Sequence, residues 1–89
     1  RKDIYAYDAA AWSLYKTGSY REAAEDMQQA LRLGTRDALL YYHAGMIQAA
    51  LGDRAQAKTL LSEALSINPH FDLLQASRAQ AELARLGAN

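Results

Sequence analysis

Two histidines, a few carboxylates and five serines are the residues that could do chemistry in this 89-residue chain. Ser13, Ser19, Ser62, Ser66 and Ser77 stand in none of the strand–turn–helix or Ser-Lys settings that activate a hydroxyl. His43 and His70 have no cluster of further ligands nearby in sequence, so no metal site is expected. A lone histidine such as His43 reads as a neutral hydrogen-bonding group rather than a pH switch. His70 follows Pro69 in a turn and should be solvated. Glu22, Glu25 and Asp26 gather near a helix start, where acidic side chains favour the helix dipole, and read as a solvated face. The chain has no cysteine, which rules out disulfides and thiolate metal sites. No catalytic group, metal or cofactor is expected, and the chain reads as a non-enzyme.

Composition narrows the partners. Ten basic residues balance ten acidic ones. Nucleic acid calls for a basic stripe that displaces counterions from phosphates, and an anionic membrane surface calls for a polybasic patch. Neither is present. The longest apolar stretch, from Ala38 to Leu51, is interrupted by His43 and Gln48. It falls short of the roughly 18 residues that suggest a membrane span, so no membrane insertion is expected. The first residues, Arg1-Lys2-Asp3-Ile4, already run into a helical pattern without an initiator methionine, which reads as a piece of a longer protein.

The elements that must position any surface repeat along the chain. Lys16-Thr17-Gly18-Ser19-Tyr20-Arg21-Glu22-Ala23 returns as Ala50-Leu51-Gly52-Asp53-Arg54-Ala55-Gln56-Ala57, an offset of 34 residues. Ala30-Leu31 and Ala64-Leu65, Leu33 and Ile67, and Tyr7 and Tyr41 keep the same offset. Gly18 and Gly52 each follow an apolar-periodic segment, where a glycine can take the left-handed conformation that ends a helix. Ser19 with Glu22 reads as a capping box, Asp53 with Gln56 as a close variant, and Asp37 as an N-cap. Pro69 cannot continue a helix, and Gly87 ends the last one. The spacing predicts helices near 4–17, 20–33, 38–50, 54–66 and 71–86, antiparallel because their connections are short.

A helix–turn–helix unit with a 34-residue period resembles the tetratricopeptide repeat. The first-helix pattern appears as Tyr7, Ala10-Ala11 and Leu14, then as Tyr41, Ala44-Gly45 and Gln48. The second-helix pattern appears as Ala23, Met27 and Ala30, then as Ala57, Leu61, Ala64 and Pro69. The resemblance implies an all-α solenoid of five helices in one domain: repeat 1 over 4–37, repeat 2 over 38–70 and a capping helix over 71–86. Ala11, Gly45, Ala23, Ala57, Ala30 and Ala64 are small where helices must approach closely. Tyr7, Tyr41, Met27, Leu61, Leu14, Leu31 and Leu65 should fill the space between them. Three departures stand out. Thr35 replaces a proline and should loosen that junction, Arg54 replaces the aromatic seen at Tyr20, and Gln48 needs a polar partner or a path to water. In the capping helix, Leu73, Leu74, Leu83 and Leu86 should face inward and leave a polar outer side.

In this family the first helices line a concave groove. By that resemblance the lining is Tyr5, Asp8, Ala9, Trp12, Tyr15 and Lys16, then Leu39, Tyr42, His43, Met46 and Ala50. Aromatic and thioether side chains suit a protein-binding surface. Some members clamp the acidic tails of chaperones with groove Lys and Asn residues. The corresponding positions here are Asp8, Trp12 and His43, and Asp8 should repel a carboxylate, which argues against that activity. The resemblance thus implies a scaffold that binds a peptide or helix of a partner protein. The alternative is a structural spacer or a self-association element of a larger protein. An apolar patch of this kind should be covered by a peptide, by further chain, or by a second copy in a homodimer.

Overall fold

The computed structural model describes residues 3–87. Five helices follow one another: α1 Ile4–Lys16, α2 Tyr20–Arg32, α3 Ala38–Leu51, α4 Arg54–Ile67 and α5 Leu73–Gly87. There is no strand among the described residues. α1 packs on α2 and α3 on α4, the two pairs meet through α2 and α3, and α5 lies on α3 and α4. This is the expected all-α array.

The repeat shows in the backbone itself. Gly18 and Gly52 have φ of 88° and 87°. At the first turn Ser19 N–H donates to the Leu14 carbonyl and Gly18 N–H to that of Tyr15. At the second, Asp53 N–H donates to Gln48 and Gly52 N–H to Ala49. Each pair is the two-bond motif that satisfies the orphan carbonyls of a helix end, and only glycine takes positive φ without steric cost. The helix starts differ. Asp53 accepts from Gln56 N–H at 3.1 Å and Asp37 from Leu39 N–H at 3.0 Å. Ser19 makes no side-chain cap bond, contrary to expectation. The backbone at both caps lies off the extended region, with ψ of 66° at Ser19 and 83° at Asp53. From that geometry the longer aspartate reaches and the serine does not.

The small residues sit where helices close on each other. Ala11, Ala23, Ala30, Ala57 and Ala64 are fully buried, with Met27 and Leu61 between them. At Gly45 an added Cβ would stand 2.7 Å from the Leu61 side chain, so the α3–α4 crossing requires glycine. Tyr7, Leu14, Leu31, Tyr41 and Leu65 pack around these centres as half-buried partners. Gln48 opens on a cavity of ≈ 250 Å³ between the second helices, rimmed by Gln28 and Gln56. Thr35 does not leave its junction unbonded. Its hydroxyl accepts from Asp37 N–H at 3.0 Å and its carbonyl from the Tyr41 hydroxyl at 3.4 Å.

α5 departs furthest from expectation. It begins at Leu73 rather than near residue 71, capped by Asp72, which accepts from Leu74 and Gln75 N–H at 3.1 and 2.8 Å. Its packed stripe is Ala76, Ala79, Leu83 and Leu86. Leu73 and Leu74 were expected to face inward but are 94% and 57% exposed. Small alanines let α5 settle onto Ala57, Leu61 and Ala64. Leu73 instead stands over the turn at Pro69 and His70, where no helix covers it. Arg54 fixes the far end of α5 by donating to the Leu86 carbonyl at 2.6 Å, a cation at a helix C-terminus.

Candidate protein-interaction groove

The groove residues are held by the first helices of the two repeats and by the start of α5. On α1, Asp8, Trp12 and Tyr15 follow one another at spacings of four and three, so they share a face. That face meets Tyr42 and His43 on α3. Trp12 stacks on His43 with ring centroids 3.9 Å apart and on Tyr15 at 4.5 Å, both close to parallel. Tyr15 continues to Tyr20 at 5.6 Å, and Tyr42 joins Trp12 at 5.8 Å and Phe71 at 5.5 Å. The result is one connected run of six rings drawn from α1, α2, α3 and the loop before α5.

Beneath the run lies a polar anchor. His43 Nδ1 is 2.7 Å from Asp8 Oδ1, and both residues are buried, at 5% and 8% exposure. The contact pairs an imidazole nitrogen with a carboxylate oxygen, a donor–acceptor match when Nδ1 carries the ring proton. A buried polar group left unpaired is costly, and this bond satisfies both. No buried side-chain nitrogen or oxygen lacks a partner among the described residues.

Beside Trp12 and Tyr15 a cleft of ≈ 590 Å³ opens between α1 and α5, lined also by Lys16, Asp72, Leu74, Gln75 and Arg78. Tyr42 lies under it, with its hydroxyl against Arg78. Burial raises the Tyr42 hydroxyl above the ordinary phenol value, with Arg78 pulling it down and Tyr15 and Asp72 adding to the rise. Burial also raises Tyr15, helped by Tyr20 and by Glu82 of α5. Both phenols therefore stay neutral near pH 7 and act as hydrogen-bonding apolar surface.

The residues expected in the groove divide into two layers. Tyr5, Ala9, Lys16 and Ala50 are exposed, and Trp12, Tyr15, Leu39 and Met46 are half-buried. Asp8, Tyr42 and His43 are buried and support the surface from below. Asp8, expected at the groove surface, is buried and bonded to His43. The contribution of α5 through Leu74, Gln75 and Arg78 was not foreseen. A signal for it exists in the sequence: Ala79 continues the series Ala11, Gly45 at the same 34-residue step, which places α5 beside α3.

Among the described residues no group of three or more His, Cys, Asp or Glu could hold a metal ion. No helix among them is long and apolar enough to cross a membrane. Short antiparallel helix pairs stacked at a fixed period define a helical-repeat scaffold. A sequence model of the tetratricopeptide repeat matches residues 4–33 and 38–71, and the chain belongs to that family. Its repeats are generally protein–protein interaction modules and form a non-catalytic scaffold. Searches of curated proteins and of solved structures return no match.

Proposed function

We propose that this chain holds a peptide or helix of a partner protein on its concave side, with the α1–α5 cleft as the centre of the contact. The observation that supports this most is the cleft itself, walled by Trp12 and Tyr15 and flanked by the exposed Leu74. Apolar surface rimmed by polar groups and backed by a rigid aromatic floor suits a binding hot spot. Tyr5, Leu39 and Met46 extend that surface along the first helices, in the manner of a helix-in-groove or strand-like mode. Trp12 has a ring on each face and offers its edge, so Tyr15 and Leu74 are the better anchors.

Self-association is a second reading, and Leu73 is the observation that favours it, because a leucine 94% exposed is a natural contact. A monomeric mass at all concentrations removes that reading.

The test of the first reading is a binding titration with a labelled, end-blocked peptide carrying leucine and phenylalanine anchors. Tyr15→Ser should weaken binding by about tenfold or more with the helical circular dichroism kept, as loss of a hot-spot aromatic does. Leu33→Ser, at the exposed residue just past the end of α2, should leave it unchanged. Equal effects of the two substitutions would refute the groove.

A further inference from the structure

The cavity of ≈ 250 Å³ between α2, α3 and α4 shares no residue with the α1–α5 cleft. Its origin shows in the repeat. Leu14 of α1 packs against the core, and its counterpart 34 residues on is Gln48, which borders the cavity instead. The floor is apolar, with Met27, Ala44 and Ile47 buried and Leu60 half-buried. The amides of Gln28, Gln48 and Gln56 also line it, and none of the three has a hydrogen-bond partner among the described residues. One cation, Arg21, and one acid, Glu25, lie in the lining, so its formal charges cancel. A dry apolar cavity of about 150 Å³ already takes benzene. This one is larger and polar on one side, so a ring with a polar substituent fits its size and its chemistry. The Met27 thioether favours an aromatic ring. Amides present both N–H and C=O, and a hydroxyl answers both with a single atom.

We infer that this cavity binds a free small molecule, a neutral phenol of a single ring. The ring would lie against Met27, Ile47 and Leu60, with its hydroxyl at the Gln48 amide. Neutrality follows from the cancelling charges of the lining, since an ion set on the apolar floor would lose its water without gaining a partner of its own. The walls come from both repeats, α2 from the first and α3 and α4 from the second. A ligand held there bridges the seam and stabilises the docked arrangement by mass action. The inference is independent of the interaction-groove reading.

The test titrates the whole isotope-labelled chain with p-cresol and follows the amide resonances by NMR. Saturable shifts should gather at Ala24, Leu31, Gln48 and Leu60, with a dissociation constant of about 0.1–1 mM, as suits so small a ligand. Toluene, which lacks the hydroxyl, should bind about fivefold more weakly, the worth of one hydrogen bond. Gln48→Leu puts the first repeat's residue at this position and should bring the two ligands level. Gln48→Phe should fill the cavity and abolish binding, with circular dichroism confirming the fold. The comparison of p-cresol with toluene needs no variant. Shifts that never saturate, equal affinity for the two ligands, or shifts that gather at Trp12 and Tyr15 each overturn the inference. So does an end-blocked Gly-Tyr-Gly peptide that binds about tenfold tighter than p-cresol, a difference of about 1.4 kcal/mol, because the occupant is then a partner's tyrosine. The groove reading stands or falls separately, on Tyr15→Ser.

Discussion

The two helix pairs have the same turns and the same spacing of small residues, yet their first helices are buried very differently. In α1 only Asp8 and Ala11 are buried. In α3 the same is true of seven residues, among them Leu40, Tyr42, Ala44 and Ile47. The cause is position in the stack. α3 is enclosed by α2 on one side and by α4 and α5 on the other, whereas α1 rests on α2 and α3 alone. Burial in a repeat array is thus a property of neighbours, and the sequence of each unit adapts to it. Position 13 is serine and exposed, while its counterpart 34 residues on is Ile47, fully buried.

That contrast can be broken most sharply at those two positions. Ile47→Ala should cost about 2–5 kcal/mol of stability, the range for truncating a buried aliphatic side chain. Ser13→Ala should change stability by no more than about 0.5 kcal/mol, as an exposed substitution. Chemical denaturation measures both, and comparable losses would show that α1 is covered by a second copy in solution.

The bond that joins the two unequal helices comes next. Asp8→Ala leaves His43 Nδ1 buried without its acceptor and should cost about 1–3 kcal/mol. Asp8→Ala combined with His43→Phe should recover part of that loss, because neither member is then left unpaired. A double variant no more stable than the single one would mean that the pair does not join the repeats.

The turns sharpen the comparison from the opposite direction. Gly18→Ala and Gly52→Ala should each cost about 1–2 kcal/mol, the strain of a side chain at positive φ, since no atom lies within 4 Å of an added Cβ at either. The two values should agree within a few tenths, because the turns share the same φ and the same pair of capping bonds. A clear difference in thermal midpoints would show that burial reaches even the turns.

How much of this the sequence displays follows the same division. The turns, the close crossings and the helix order depend on local backbone demands and on side-chain volume. Gly18, Gly52, Gly45 and the alanine series therefore declare them. The face that α5 presents depends on how a helix without a following partner settles onto α4. Leucine content misleads there, with Leu73 outside and Ala76 inside. Correspondence along the first helices places Tyr5, Trp12, Tyr15, Leu39 and Met46 at or near the surface. It does not reveal that Asp8 and His43 meet, because a pairing between residues 35 apart has no local signature.

Trp12 is the only tryptophan, and it lies between a ring of its own helix and a ring of the next repeat. A slip of α1 against α3 by one helical step of about 1.5 Å would pull the indole out of register with His43 while leaving Tyr15 in place. The molecule thus carries an optical gauge at the seam between its repeats. Its emission reads the alignment of one unit on the next, and any ligand or solvent condition that shears the stack is visible before a single helix melts.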